Sequence, residues 1–194
     1  MARIPPIAKT DAPAPIATLL ERAEQELPLF RNQIATLAYL PGLAGRFLDL
    51  YLAFPQESQL PRHLVELAIL TVSHLHACRY CVVHHTVLGT WHGLRPEQIQ
   101  VLQQGDWATS PLFDATEKLV ITYAEQVTRD ANRVSDTLFQ QLCEHFSAAQ
   151  IVELTLRITL CGFYNKFNQA LQIDIEPEAV QALGAVSGKK KAEQ

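Results

Sequence analysis

The stretch Arg62-His-Leu-Val-Glu-Leu-Ala-Ile-Leu-Thr-Val-Ser-His-Leu-His76 is a long apolar segment with helical spacing, and we expect it to decide the fold. Its apolar side chains occupy two adjacent helical stripes, which is wider than the single stripe of a surface helix. A helix of this kind must be buried on several sides. The other helices are therefore expected to pack around it, within one subunit or against neighbouring copies.

Helix starts mark most of the remaining sequence. Pro61 and Pro96 suit first helical positions, because proline lacks the N–H that a helix leaves unpaired there. Capping boxes at 114–117 and 147–150, together with Ser135, open three later helices. No strand-like alternation persists, so we predict an all-α protein. Earlier helices are predicted over 15–26, 29–39 and 43–54.

The sequence predicts a single helical domain over residues 16–180. Residues 1–15 are rich in proline, which disfavours regular helix, and are expected to form an extended N-terminal arm. Residues 181–194 end in Lys-Lys-Lys-Ala-Glu-Gln. We expect this polar end to form a flexible, solvated tail.

The amino-acid composition, net charge and lack of long apolar runs argue against several classes of protein. Of the 194 residues, 48% are hydrophobic and 19% charged, which allows a sizeable core and excludes wholesale disorder. The net charge of -4 disfavours nucleic-acid binding, for which a basic excess is typical. No apolar run approaches the ~18 residues of a membrane span, and the first residues lack the apolar core of a signal peptide. We therefore expect a cytoplasmic protein without a nucleic-acid or membrane partner.

Two of the four cysteines form a Cys-x-x-Cys pair, Cys78 and Cys81. In a reducing compartment this spacing favours redox chemistry or metal binding over a structural disulfide. A zinc site shared with His84 and His85 is disfavoured, because adjacent helical residues point about 100° apart. Burial of both cysteines as core residues is the other alternative. No role is assigned to Cys143, Cys161, His63, His74, His76, His92 and His145.

Cys81 and His85 are four residues apart, so on a helix they lie on the same face. A neighbouring imidazole can accept the thiol proton, and a position in the first helical turn stabilises the thiolate. These two effects matter because only the thiolate is nucleophilic, and a free cysteine with a pKa of ~8.5 is mostly protonated at neutral pH. Cys78 is placed to form a disulfide once Cys81 has reacted. Residues 78–85 thus predict a nucleophile, a resolving thiol and a base.

Glu66 is a carboxylate within the apolar segment, where burial without a partner would raise its pKa. Two interpretations stay open at this point. In the first, Glu66 lies at the rim of the core and pairs with a surface arginine. In the second, it is a general base or proton relay that titrates near neutral pH.

Glu66 followed by Cys78-x-x-Cys81-x-x-x-His85 resembles the active-site motif of the carboxymuconolactone decarboxylase and alkylhydroperoxidase D (AhpD-like) superfamily, in its cysteine-pair branch. Flanking segments at 29–32, 60–70, 93–94 and 151–165 resemble the same family, so the resemblance covers roughly residues 15–177. It implies an AhpD-like orthogonal helical bundle of roughly eight helices that assembles as a homotrimer or hexamer.

The resemblance also implies a peroxidase acting on organic hydroperoxides or hydrogen peroxide. By position, Cys81 would be the peroxidatic thiol and Cys78 the resolving thiol, while Glu66 and His85 would form the proton relay. No bound cofactor or metal is expected. The implied reductant is an external dithiol of the dihydrolipoamide type, either free or on a lipoyl carrier protein.

This chain departs from the family's peroxidases at one position. They carry a histidine just before the second cysteine, where this chain has Tyr80, and a phenol with a pKa of ~10 is a poor base at neutrality. Tyr80 and His84 are therefore auxiliary candidates. Two other functions stay open. One is a decarboxylase-like lyase for a small lactone or organic acid, with Glu66 and His85 as base and acid. The other is an oligomeric redox-sensing or binding protein without turnover.

Overall fold

The computed structural model describes residues 2–188, with side chains up to residue 186, and every regular secondary-structure element in this part of the chain is a helix. The all-α prediction is confirmed, but the described residues form ten α-helices where roughly eight were expected. The helices are α1 (Ala14–Glu26), α2 (Arg31–Leu37), α3 (Pro41–Glu57), α4 (Arg62–Leu75), α5 (Arg79–Trp91), α6 (Pro96–Gln104), α7 (Ala115–Asp130), α8 (Asp136–His145), α9 (Ala148–Leu171) and α10 (Pro177–Gly188).

The two ends of the chain differ in part from the prediction. The N-terminal arm is largely extended, but it contains a short 3-10 helix at Lys9–Asp11 and gives way to α1 at Ala14. Its backbone is held by hydrogen bonds from Arg3 N to Leu171 O and from Ile7 N to Ala35 O. The tail predicted from residue 181 is helical as far as residue 188, because α10 continues through it. Residues 189–194 lie outside the described residues.

Helix α4 is the centre of the fold, as its wide apolar surface predicts. Every residue from Leu64 to Ser73 is buried. One side of α4 packs against α7 and α9, and the other, with Leu67 and Leu70, packs against α6 and α7. Full burial of each such aliphatic side chain contributes about 1.5–3 kcal/mol of transfer free energy. This packing fixes the position of Glu66, the carboxylate on the same helix.

A tight turn places α5 back against α4. Helix α4 ends at Leu75, and Ala77 then adopts a left-handed conformation with φ of 53°. The N–H of Cys78 donates to the carbonyl of Ser73, which closes the turn at 2.9 Å. The left-handed backbone of a non-glycine residue costs roughly 1 kcal/mol. The turn sets the cysteine pair at the start of α5, beside the end of the central helix.

Helices α8 and α9 meet at a bend of 120°. The bend falls at Ser147, whose hydroxyl accepts from the N–H of Gln150 while Gln150 accepts from Ser147 N, so the predicted capping box is present. No single helix within residues 2–188 is long and apolar enough to cross a membrane. The bent pair of α8 and α9 meets those requirements jointly, by length and composition alone.

Candidate active site

A cavity of about 200 Å³ lies among α3, α4, α5 and α9. Its wall is mainly apolar and aromatic, and it brings together three of the predicted site residues, Glu66, Cys81 and His85. The remaining polar and aromatic side chains of its wall are Phe30, Gln33, Tyr51, Phe54, Arg62, His92, Arg157, Cys161 and Tyr164. A confined apolar space with few polar groups suits a small organic molecule.

Glu66 faces two imidazoles, His85 in the middle of α5 and His92 directly after its last residue. Nδ1 of His85 lies 2.8 Å from one carboxylate oxygen, and Nδ1 of His92 lies 3.3 Å from the other. Gly89 lies between the two histidines, and a Cβ there would be 3.6 Å from the Cβ of Glu66 and 3.0 Å from Leu94. The small residue therefore allows the close approach of α5. The partner of Glu66 is a pair of histidines and not a surface arginine.

The charge state of Glu66 follows from these contacts. Burial would raise its pKa, but the charge and hydrogen bond of His85, followed by the nearby His92, lower it to about 2. Glu66 is thus ionised at neutral pH, in contrast to the expectation of a base that titrates there. With Nδ1 of His85 donating to the carboxylate, Nε2 of the neutral ring keeps the lone pair. Nε2 of His85, like that of His92 in the same cavity wall, is then a group that can accept a proton.

The two thiols occupy different positions at the start of α5. Cys78 is the residue that precedes the helix, and Cys81 lies in its first turn. The thiol of Cys81, then backbone N–H groups and the Gln169 side chain, lower the pKa of Cys78 to about 7 although burial opposes them. The hydrogen bond with Cys78, together with burial, raises the pKa of Cys81. The Cys81 thiol and the backbone N–H groups at the start of α5 thus favour the Cys78 thiolate, whereas the sequence predicted that the helix N-terminus would favour the Cys81 thiolate.

A chain of side-chain hydrogen bonds ends on the sulfur of Cys81. The Tyr51 hydroxyl donates to Oε1 of Gln33 at 3.0 Å, and Nε2 of Gln33 donates to Oδ1 of Asn168 at 3.0 Å. Nδ2 of Asn168 then donates to Sγ of Cys81 at 3.3 Å. Every donor in this chain points towards the sulfur. The arrangement stabilises negative charge on Cys81, against the effects of burial and of Cys78.

The cysteine pair separates two openings in the structure. Cys81 belongs to the wall of the cavity, together with His85. Cys78 belongs to the wall of a wider groove of about 620 Å³, which also includes Gln169 and Gln172 at the end of α9. Both thiols are buried. A molecule in the cavity would meet Cys81, whereas a molecule in the groove would meet Cys78.

The auxiliary candidates Tyr80 and His84 do not contribute to the wall of the cavity. Nε2 of His84 lies 2.8 Å from Oε2 of Glu176, and the Tyr80 hydroxyl donates to Oε1 at 2.9 Å. The backbone N–H of Asn32 also donates to Oε1, at 2.8 Å, while Nδ1 of His84 lies 2.6 Å from the Tyr80 carbonyl. These buried groups satisfy one another and tie α5 to the start of α10. Their placement indicates a structural role.

Two features of the site were absent from the sequence analysis. His92 received no role, although it follows His85 by seven residues and so lies on the same helical face. The second feature is a face of α9 with helical spacing, which brings four polar side chains towards the cysteines and the cavity: Arg157, Cys161, Tyr164 and Asn168. The spacing is visible in the sequence, but only the packing of α9 against α4 and α5 shows what this face contacts.

Comparison with known sequences supports the resemblance. Residues 41–126 match the Carboxymuconolactone decarboxylase family. The chain is 38% identical over 74 residues to the uncharacterized protein YnjA of Escherichia coli (strain K12), a match that spans 38% of this chain and 41% of YnjA. It is 26% identical over 119 residues to the uncharacterized protein YdfG of Bacillus subtilis (strain 168), which spans 61% of this chain and 80% of YdfG.

Comparison with solved structures extends the similarity to nearly the whole fold. The AhpD-core, peroxidase-related protein from Ralstonia eutropha JMP134 has a TM-score of 0.79 at 18% identity, covering 92% of this chain and 94% of that protein. The debrominase Bmp8, as a cysteine-to-alanine variant in complex with 2,3,4-tribromopyrrole, has a TM-score of 0.76 at 21% identity, covering 94% and 96%. At these identities the structures establish the fold alone. The match to the Carboxymuconolactone decarboxylase family covers residues 41–126, fewer than half of the 194 residues.

Proposed function

We propose that this protein is a thiol-dependent peroxidase that reduces organic hydroperoxides or hydrogen peroxide through Cys78 and Cys81. One observation carries the proposal. Cys81 and the Glu66–His85 pair belong to the wall of the same small apolar cavity, while the Cys78 thiol is hydrogen-bonded to that of Cys81. An organic hydroperoxide has an apolar body and a weak O–O bond, so it matches both the cavity and the thiol.

The first step is activation of Cys81. At neutral pH a large fraction of Cys78 is thiolate, because its pKa is about 7, and it accepts a hydrogen bond from the Cys81 thiol. Transfer of that proton to Cys78 runs against the order of the two pKa values, so it gives a minor population of Cys81 thiolate, which the Asn168 amide stabilises. This step needs no base at position 80. The phenol of Tyr80 already donates a hydrogen bond to Glu176. The presence of Tyr80 where the family's peroxidases have a histidine is therefore compatible with activity.

In the second step the Cys81 thiolate attacks the distal oxygen of the hydroperoxide. The S–O bond forms as the O–O bond breaks, so Cys81 becomes a sulfenic acid and the departing alkoxide carries the electron pair. The alkoxide takes one proton that originates in solvent and passes through Nε2 of His85. The ionised Glu66 stabilises His85 while the ring is protonated.

In the third step Cys78 resolves the sulfenic acid. Its sulfur attacks the sulfur of Cys81, the hydroxyl group leaves, and the Cys78 proton departs with that hydroxyl as water. The hydroperoxide is thereby reduced to an alcohol and water, while two thiols are oxidised to one disulfide. An external dithiol of the dihydrolipoamide type then exchanges with the disulfide and restores both thiols.

A second candidate reaction is reductive removal of halogen from a small aromatic ring. The cavity wall carries the aromatic rings of Phe30, Tyr51, Phe54 and Tyr164, which suit a flat substrate. The similar fold of the debrominase Bmp8 supports this candidate. Replacement of carbon-bound halogen by hydrogen would also oxidise the two thiols to a disulfide and release halide. The two candidates share the thiols and differ in the electrophile.

Turnover with defined electrophiles tests the proposal. Reduced protein is incubated with cumene hydroperoxide, hydrogen peroxide or a bromopyrrole, with dihydrolipoamide as reductant, while product and intact mass are measured in the same samples. We expect hydroperoxide turnover together with a Cys78–Cys81 disulfide. Cys143→Ser is the matched control, because Cys143 is exposed and remote in sequence from the pair, and it should behave as the unmodified protein.

Other outcomes identify the alternatives. Bromide release without peroxide consumption would favour the dehalogenase. A disulfide without turnover, together with a change in oligomer size, would favour a redox sensor. Lyase activity on a lactone that survives replacement of both cysteines would favour the decarboxylase-like reaction with Glu66 and His85. Sedimentation of the reduced protein tests the proposed homotrimer or hexamer.

A further inference from the structure

Two arginines, Arg62 and Arg157, lie at one end of the cavity. Arg62 lies at the start of α4, and Arg157 lies near the middle of α9. Both guanidinium groups reach the last turn of α3, where Nη2 of Arg157 lies 3.5 Å from the carbonyl of Phe54 and Nη2 of Arg62 lies 3.3 Å from that of Pro55. Both side chains belong to the cavity wall. Two cations therefore converge at one end of an otherwise apolar space.

The carboxylates near this end are already engaged. Glu153 accepts from Arg157, and its oxygens also accept from the Ser58 hydroxyl and from the backbone N–H groups of residues 59 and 60. Glu66 is paired with His85 and His92. Among residues 2–188, no carboxylate lies within 4.0 Å of the Arg62 guanidinium. Glu153 thus pairs with Arg157, Glu66 is near enough to raise the pKa of Arg157, and the exposed Arg62 has no carboxylate partner among the described residues.

The environment of Arg157 strengthens its attraction for an anion. Its side chain is only 11% exposed, and its guanidinium lies 3.8 Å from the centre of the Phe54 ring, which fixes its plane. Burial lowers the pKa of Arg157, the hydrogen-bonded Glu153 opposes this effect, and the more distant Arg62 and Glu66 add smaller effects of opposite sign. A charge that is poorly solvated and repelled by a like charge gains from a counter-ion more than an exposed charge does.

We propose that Arg62 and Arg157 form a subsite for the carboxylate of an elongated, apolar organic acid, whose opposite end reaches Cys81. The proposal rests on the proposed peroxidase function for the chemistry at that opposite end. Along α9, Arg157 is separated from Cys161 by a rise of ~6 Å and from Asn168, the partner of Cys81, by ~16 Å. The substrate class is therefore a hydroperoxide with a carboxylate at the far end of its apolar body.

Equilibrium binding tests the subsite without any turnover. The probes are 4-phenylbutyrate and its neutral amide, which have nearly the same size and differ in charge, titrated calorimetrically into the reduced full-length protein. We expect the carboxylate to bind about tenfold more tightly, and added salt to reduce that preference. Arg62→Gln should remove most of the preference, and Arg62→Lys should retain part of it. Arg46 is exposed on α3, and Arg46→Gln should leave the affinities for the acid and the amide unchanged.

The proposal is overturned if the acid and the amide bind equally, if neither binds at millimolar concentration, or if Arg62→Gln leaves the preference intact. A kinetic comparison separates this proposal from the peroxidase. With cumene hydroperoxide and its para-carboxylate derivative as substrates, Arg62→Gln should raise KM about tenfold for the carboxylate alone, with kcat unchanged. A charge preference in binding without any peroxide turnover would contradict the peroxidase and leave the subsite in place.

Discussion

The side-chain amide of Asn168 donates a hydrogen bond to the sulfur of Cys81 across 3.3 Å, although 87 residues separate them. The orientation of this amide is set by Gln33, which donates to its oxygen. Sulfur that accepts a well-directed N–H bond is stabilised as thiolate more than as thiol. This contact links α9 to the reactivity of the cysteine pair.

Replacement of Asn168 by leucine should therefore raise the pKa of Cys81. A hydrogen bond to a charged group contributes about 1.5–3 kcal/mol, which corresponds to an increase of about one to two pKa units. The measurement is the rate of Cys81 alkylation against pH. Trypsin cleaves after Arg79, so the two thiols fall in separate peptides and can be followed individually. Asn165→Leu is the matched control on the same helix, and an equal shift in both variants would show that Asn168 acts only through general packing.

Cys78 should be the thiol that ionises first. Its folded pKa of about 7 is below the ordinary thiol value of 9.0, so thiolate should accumulate as pH rises through 7. Ultraviolet thiolate absorbance reports this step without requiring access of a reagent to a buried sulfur. Cys78→Ser should remove the step, whereas Cys143→Ser should retain it. Persistence of the step in Cys78→Ser would assign the acidic thiol to another cysteine.

Ionised Glu66 should make folding sensitive to acid. Its pKa is lowered from 4.5 to about 2 in the folded protein, so its stabilising contribution is complete above pH 4.5 and is lost as pH falls towards 2. Thermal unfolding as a function of pH measures this effect. Glu66→Gln should show a shallower loss of stability across that interval, and about a hundredfold lower peroxide turnover at neutral pH because His85 loses its charged partner. Parallel stability curves for the two proteins would argue against an ionised Glu66.

Tyr80→Phe should affect stability and leave chemistry intact. It removes one hydrogen bond to the buried Glu176, which is expected to cost about 1–3 kcal/mol in the free energy of unfolding. Denaturant unfolding measures the loss, and kcat for hydroperoxide should remain within about twofold of the unmodified protein. A large fall in kcat with little loss of stability would instead give the phenol a part in catalysis.

The sequence predicted most of the helices of the fold, but it predicted less of the chemistry of the site. The width of the apolar surface of α4 predicted its central position, and proline and capping residues marked most helix starts, because these signals are local. The start of α10 was missed, since it is fixed by the buried contact of Glu176 with His84, a pair 92 residues apart. Local patterns do not encode such contacts.

At the site, the motif predicted which side chains would meet but not their charge states. Glu66, Cys81 and His85 converge on one cavity because α4 and α5 are adjacent in sequence and form a tight hairpin. The order of the two thiol pKa values depends on where α5 begins to within one residue, which sequence reasoning does not resolve. The low pKa of Glu66 depends first on His85, which the motif predicted, and then on His92, which was visible in the sequence but unassigned.

The central claim is that Cys81 attacks the substrate and Cys78 resolves the product. The most direct measurement treats Cys78→Ser and Cys81→Ser separately with one equivalent of cumene hydroperoxide in the presence of dimedone, which traps sulfenic acid, and locates the adduct by peptide mass spectrometry. The account predicts a dimedone adduct on Cys81 in the Cys78→Ser protein and no adduct on Cys78 in the Cys81→Ser protein. The Cys81 adduct should form more slowly than the disulfide of the unmodified protein, because Cys78→Ser also removes the group that accepts the Cys81 proton. An adduct on Cys78 when Cys81 is absent, with Cys81 unmodified when Cys78 is absent, would contradict it.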